Sequence, residues 1–219
     1  MFTPRDIVLE AFIDNLKAEF RHVHPTVEGP VMLALEEGVR VLLTQLARSD
    51  ALYTNFDTAL VVGSMALRVA EGRQVAEGDV APEDLLHFVL SALGLYLGFV
   101  RDLLPGDGAE EVDDGLGGRL VLPPGGTDGT LLPSFNARSQ AFLRRRFADH
   151  PIIDGDRIAR WIDAVPFPET GAEAAPASTW ARLLRGAHSL SLAADPAFVQ
   201  RMPRLFRQLE EVGLARELG

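Results

Sequence analysis

Outside residues 105–133, the apolar residues of this chain recur with the period of an α-helix. Val31, Leu35, Val39, Leu42, Leu43 and Leu46 form the clearest run. A 3.6-residue turn brings such positions onto one face, where they can be buried together. The same period over Ile7, Phe12, Ile13, Leu16 and Phe20 predicts a first helix, with Thr3 as its N-cap and Pro4 at its first position. A second is expected over about Thr26–Arg48 and a third over about Asn55–Ala70. A fourth is expected over about Pro82–Leu104, where Glu83 and Asp84 suit the positive end of the helix dipole. Helices resume at about Ser134–Phe147, Asp154–Ala164, Thr179–Ala193 and Pro196–Val212, and Gly213 fits a C-cap. The expected class is all-α, as one domain over residues 1–219 in which residues 1–50 form a helical N-terminal extension.

The period stops at Pro105. The stretch to Pro133 is rich in Gly, Asp and Pro and is long for a loop in a compact domain, which points to function or mobility. Within it, Arg119–Leu122 reads as a short strand or an extended arm. A second irregular linker runs from Pro166 to Ser178.

Charge and composition exclude several kinds of chemistry. Lys and Arg total 21 against 31 Asp and Glu, a net charge of −10. Nucleic acid is not expected as a partner, because a polyanion needs basic surface to displace its counterions. The cluster Arg144–Arg146 reads as a solvated helix face. No cysteine is present, which removes disulfides, thiolate metal sites and cysteine nucleophiles. No apolar run reaches the length of a membrane span and no signal-peptide pattern is visible, so a cytoplasmic setting is expected.

The candidate polar residues are few. His22 and His24 have a spacing that can chelate a metal on an extended segment, or they form an exposed polar pair. His87 reads as a packing or capping residue, and His150 as an exposed turn residue. Asp128, in Gly-Gly-Thr-Asp-Gly, is either an active-site carboxylate or a turn residue bonded to its own backbone. Gly125, Gly126 and Gly129 do not form a phosphate loop, because the Gly-Lys-Ser/Thr ending is missing. Glu110, Glu111, Asp113 and Asp114 lack the ligand order of a calcium loop and read as a solvated acidic patch.

Four segments together resemble a known family. His87–Arg101, HFVLSALGLYLGFVR, is similar to the metal-binding helix of the HD-domain phosphohydrolases, in the branch that reads roughly HF-apolar-HDIGYVR. Leu95 and Tyr96 stand where the His-Asp pair is expected, while Gly98, Phe99, Val100 and Arg101 are kept. Tyr53–Thr58 resembles the family's Tyr-His-Asn-x-x-His segment, with Thr54 at the proton donor and Thr58 at a ligand position. Thr127-Asp128-Gly129, Leu132-Pro133 and Asn136-x-Arg138 resemble a third segment, with Asn136 near an expected histidine. Arg185–His188 leading into Ala194–Pro196 resembles a fourth, and the last ligand position falls on His188.

The resemblance implies an HD-like helical bundle carrying a long irregular insertion at 105–133. It also implies that the usual chemistry is gone. An HD site needs several N and O donors converging on a divalent ion that activates water, and here nearly all of them are replaced. No metal or other cofactor is expected. The vacated pocket would be lined by Thr54, Thr58, Leu95, Tyr96, Asn136 and His188. The leading expectation is a pseudo-phosphohydrolase that binds a small, largely apolar ligand or serves as a scaffold for a protein partner or a second copy. The alternative is a metal-independent lyase, isomerase or cyclase using His188, Tyr96 and Asp128 for proton transfer.

Overall fold

A computed structural model describes residues 3–27, 29–167 and 178–215. Most of the linker expected from Pro166 to Ser178 lies outside them. The described chain is mainly helical, and its sheet is a single two-stranded ribbon.

The first helix, α1 (Pro4–Val23), starts as the sequence predicts. The Thr3 hydroxyl accepts from the Asp6 amide and the Asp6 carboxylate accepts from the Thr3 amide, a reciprocal cap. Helix α2 (Gly29–Leu46) buries Leu35, Val39, Leu42, Leu43 and Leu46. Helix α3 (Phe56–Glu77) runs about two turns past its expected end, to Gly78, whose φ of 70° forms a left-handed cap. Gly72 did not break it, because a glycine costs a helix interior only about 1 kcal/mol.

Helix α4 (Pro82–Gly94) lies at the centre, packed against α2, α3, α6 (Gly155–Asp163) and α7 (Thr179–Ala194). All ten residues from Leu85 to Gly94 are buried, including His87 and Ser91. It stops well short of the expected Leu104 and is followed by a 3-10 turn over Leu97–Phe99. The cause is α5 (Phe135–Arg146). Ser139 of α5 donates to the Leu95 carbonyl and accepts from the Gly98 amide at 2.7 Å, so both groups leave the helical ladder. A Cβ on Gly98 would lie 1.8 Å from the Phe135 carbonyl oxygen, so the approach of α5 requires glycine there.

The Gly/Asp/Pro-rich stretch contains β1 (Glu111–Asp113) and β2 (Arg119–Val121), paired antiparallel with Val112 opposite Leu120. The ribbon is fastened by a buried ion pair, Arg138 to Asp107, whose side chains are 0% and 1% exposed. Arg138 also donates to the carbonyls of Gly98, Val100 and Asp113, while Asp107 accepts from the Leu103, Leu104 and Asp113 amides. Glycine and aspartate build the turns here: the Asp114 carboxylate accepts from the Leu116 and Gly118 amides. The acidic patch is therefore partly used in turn formation.

Where α3, α4, α6 and α7 meet, Trp161 stacks on Trp180 with ring centroids 5.8 Å apart. Arg157 lies over Trp161 and Arg73 over Trp180, at 5.0 and 4.8 Å, and Phe88 closes the cluster at 5.0 Å from Trp180. The last helix, α8 (Phe198–Glu211), lies against α7 and against a 3-10 turn over Asp128–Leu131.

Candidate functional site

Five of the six expected pocket positions are buried, and they are tied into polar contacts contributed by three helices. Asn55 is the residue that arranges the entry to α3. Its side-chain oxygen caps the Asp57 and Thr58 amides, and its amide donates to the Ala51 and Leu52 carbonyls. This fixes the turn carrying Tyr53 and Thr54 beside the first turn of α3, which carries Thr58. The Thr58 hydroxyl donates to the Tyr53 carbonyl.

Two α8 side chains complete the arrangement. Gln208 is fully buried: its oxygen accepts from the Tyr53 and Thr54 amides at 2.9 and 3.1 Å, and its amide donates to the Thr54 hydroxyl at 2.7 Å. Arg201 donates to the Thr58 hydroxyl at 2.7 Å and to Asp195 at 2.9 Å, with its guanidinium 5.6 Å from the Tyr53 ring centroid. Neither residue was singled out by sequence. The signal was nevertheless present: Arg201, Leu205, Gln208, Leu209 and Val212 share one helix face, so two polar residues interrupt the inward stripe.

Tyr96, just past α4, and His188, in the middle of α7, form a buried pair with the phenol oxygen 2.7 Å from His188 Nε2. Burial pushes the Tyr96 phenol well above its ordinary pKa, the nearby Tyr53 phenol adds to this, and Arg201 opposes it. The phenol therefore keeps its proton, and it donates to Nε2 or accepts from Nε2–H according to the imidazole tautomer. Phe99 and Phe167 pack around the Tyr96 ring at 6.2 and 6.0 Å. Leu95 is buried beside it as hydrocarbon, and its carbonyl accepts from the Ser139 hydroxyl.

The other candidates lie in different surroundings. Asn136 faces α6, donating to the Ile162 and Val165 carbonyls at 3.4 and 3.5 Å and accepting from Gln140. Asp128 is buried at the far end of α2. It accepts from the Asp50 amide while the Asp50 carboxylate accepts from the Asp128 amide, and Arg101 Nε lies 2.9 Å from it. Desolvation, aided by the Asp50 charge, raises its pKa to about 6, against the hydrogen bonds from Ser49 and the Asp50 amide and the charge of Arg101. Neither Tyr96 nor His188 is among these contacts.

The remaining histidines act on backbone. His87 Nδ1 is 2.6 Å from the Glu83 carbonyl and Nε2 accepts from the Asp154 amide at 2.8 Å, so a neutral ring joins α4 to the start of α6. Burial lowers its pKa, which preserves that neutral form. His150, expected to be exposed, is instead largely buried and accepts from the Ile152 and Ile153 amides at 3.2 and 2.8 Å; the turn folds over its ring. His22 is exposed and His24 half-buried. Among the described residues, no three His, Cys, Asp or Glu side chains group in a way that could hold a metal ion. Among them, too, no helix is long and apolar enough to cross a membrane.

The family model described as Npun_R2479-like matches residues 2–219, and the chain belongs to that family. No curated protein and no solved structure matches it.

Proposed function

We propose that this Npun_R2479-like chain is a non-catalytic relative of the HD-domain phosphohydrolases that acts as a scaffolding or small-ligand-binding subunit. One observation carries the reading. The positions corresponding to HD ligands and proton donor hold Thr54, Thr58, Leu95, Tyr96, Asn136 and a single imidazole, His188, with no carboxylate among them, and the two threonines are bonded to Gln208 and Arg201 of their own chain. A divalent ion needs several free N or O donors converging on one point. Thr54 and Thr58 supply hydroxyls already in use, Leu95 supplies none, and the cation Arg201 sits beside Thr58, where it would repel a metal. Without a metal-bound hydroxide, attack on a phosphate ester lacks both its nucleophile and its charge clamp.

The hydrogen bond between Tyr96 and His188 favours a second reading, acid–base chemistry without metal. Two features weigh against it. The buried phenol holds its proton well above neutral pH, whereas an efficient general acid or base titrates near the working pH. Asp128, the third group of that scheme, has its own partners in Asp50 and Arg101.

Elemental analysis and a phosphoesterase panel with and without manganese test the first reading. No stoichiometric iron, manganese or zinc is expected, and no turnover above background. One tightly held metal per chain, with hydrolysis abolished by chelation, refutes it. His188→Leu and Tyr96→Phe separate the readings. Packing roles predict that each costs about 1–3 kcal/mol of stability by stranding a buried polar partner. A catalytic role predicts lost turnover with an unchanged melting temperature.

A further inference from the structure

We infer that α8 is a strap that opens as a unit, uncovering Tyr53, Thr54 and Thr58 while α1 to α7 stay folded. The inference concerns how the polar cluster is closed and holds whichever activity that cluster has. Its basis is the unusual way α8 is held. Only Gln208 and Leu209 of its fourteen residues are buried, whereas α4 buries ten of thirteen. Leu205 is half-buried against the core and Phe198 is half-buried, while the remaining large apolar residues face outward: Val199, Met202 and Phe206 are 81%, 40% and 53% exposed. Apolar burial is the main adhesive of a helix against its domain, and α8 uses little of it.

Polar pins hold it instead. Gln208 makes three hydrogen bonds to Tyr53 and Thr54, Arg201 makes one to Thr58, and Glu211 accepts from Thr127 at 2.6 Å. On opening, water replaces each of these partners, so their net hold is small. The link to α7 is arranged to survive the movement. Asp195 accepts from the Ala197 amide and from Arg201, so this cap lies on the α7 side of the strap and close to its pivot. Pro203 lies inside α8 and has no amide hydrogen for the helical ladder, which weakens the helix itself.

Opening exposes two successive backbone amides and two threonine hydroxyls, all buried in the closed form. The Gln208 carboxamide is thus an occupant of this seat supplied by the chain itself, from 154 positions away in sequence. The strap is an autoinhibitory contact for anything that binds there.

Native-state hydrogen exchange on the full chain tests this. The amides of residues 204–209 should exchange at least ~100-fold faster, relative to their intrinsic rates, than those of Leu90–Leu93 in α4. The Tyr53 and Thr54 amides should exchange at the rate of α8, because Gln208 protects them. Gln208→Ala should speed α8, Tyr53 and Thr54 about tenfold and leave α4 unchanged. A lock is also available. The chain has no cysteine, and a Cβ at Gly129 would lie 2.6 Å from Gln208 Cγ. Oxidised Gly129→Cys/Gln208→Cys should slow α8 to the rate of α4, and reduction should release it. Wild-type exchange of α8 and α4 in one event overturns the inference, as does equal acceleration of both by Gln208→Ala. If that variant does not fold, the wild-type pattern decides alone.

Discussion

Replacing Asp107 with alanine should be among the most destabilising single changes outside the apolar core. Arg138 is completely buried, and both of its terminal nitrogens reach the Asp107 carboxylate, at 3.1 and 2.9 Å. Removing the carboxylate leaves a buried guanidinium with carbonyl partners but no counter-charge, a loss of about 3–5 kcal/mol. Three amides, those of Leu103, Leu104 and Asp113, lose their acceptor as well. The segment around them can loosen and admit water, which offsets part of that loss. The expected cost is about 4 kcal/mol, a large share of the roughly 5–15 kcal/mol that holds a typical domain together. Asp107→Asn keeps an acceptor and should cost about half as much. Asp107→Leu with Arg138→Met should cost less than Asp107→Ala alone, because no stranded charge remains. Urea unfolding followed by far-ultraviolet circular dichroism measures all three. A cost below about 1 kcal/mol for Asp107→Ala, or a double variant less stable than that single one, refutes the reasoning. The pH dependence has a definite sign. Burial works to raise the Asp107 pKa, but the Arg138 bonds and the Leu104 and Asp113 amides outweigh it and hold it below the usual value. Its contribution is therefore present above the unfolded pKa of about 3.9 and is lost as pH falls through the lower folded value.

Asp128 behaves in the opposite sense. Its folded pKa of about 6 lies above the unfolded value, so its contribution is full below pH ~3.9 and is lost as pH rises through about 6. Asp128→Asn should gain roughly 2–3 kcal/mol on the wild type between pH 4 and 7.5, and a loss over that interval in parallel urea titrations contradicts the assignment. Two glycine substitutions should diverge sharply in thermal melts. Gly98→Ala should fail to reach the native fold, since its Cβ meets the Phe135 backbone, whereas Gly72→Ala meets nothing within 4 Å and should stabilise α3 by up to about 1 kcal/mol. A Gly98→Ala protein that melts like the wild type removes the explanation given for the early end of α4.

The helices were legible wherever the chain decides its own conformation locally. Thr3 with Asp6, Asn55 with Thr58, and Asp154 with Arg157 are caps formed within three residues, and the elements they open begin where the apolar period does. The end of α4 was not legible, because Ser139 and the Phe135 backbone, some forty residues away, take over the Leu95 and Gly98 groups. The same limit applied to the candidate site. Tyr96 and His188, picked out from separate segments, do meet. Asn136 and Asp128, picked out by similar reasoning, are bonded elsewhere, to the carbonyls of α6 and to Asp50. Gln208 and Arg201 went unnoticed because a single polar residue on an apolar stripe has many ordinary explanations. Its partner can only be named once the start of α3 is known to lie against it.

The placement of the two tryptophans has a consequence for how this molecule looks to a spectroscopist. Trp161 and Trp180 are the chain's whole complement, stacked on each other and covered by Arg157 and Arg73. Intrinsic fluorescence and near-ultraviolet dichroism will therefore be dominated by the junction of α3, α4, α6 and α7. No tryptophan lies on α8 or at Tyr53–Thr58. A melting curve read from indole emission can be single, sharp and reversible while the last helix has already left its seat. For this protein, a clean optical transition describes one corner of the fold, and methods that follow individual amides are needed for the rest.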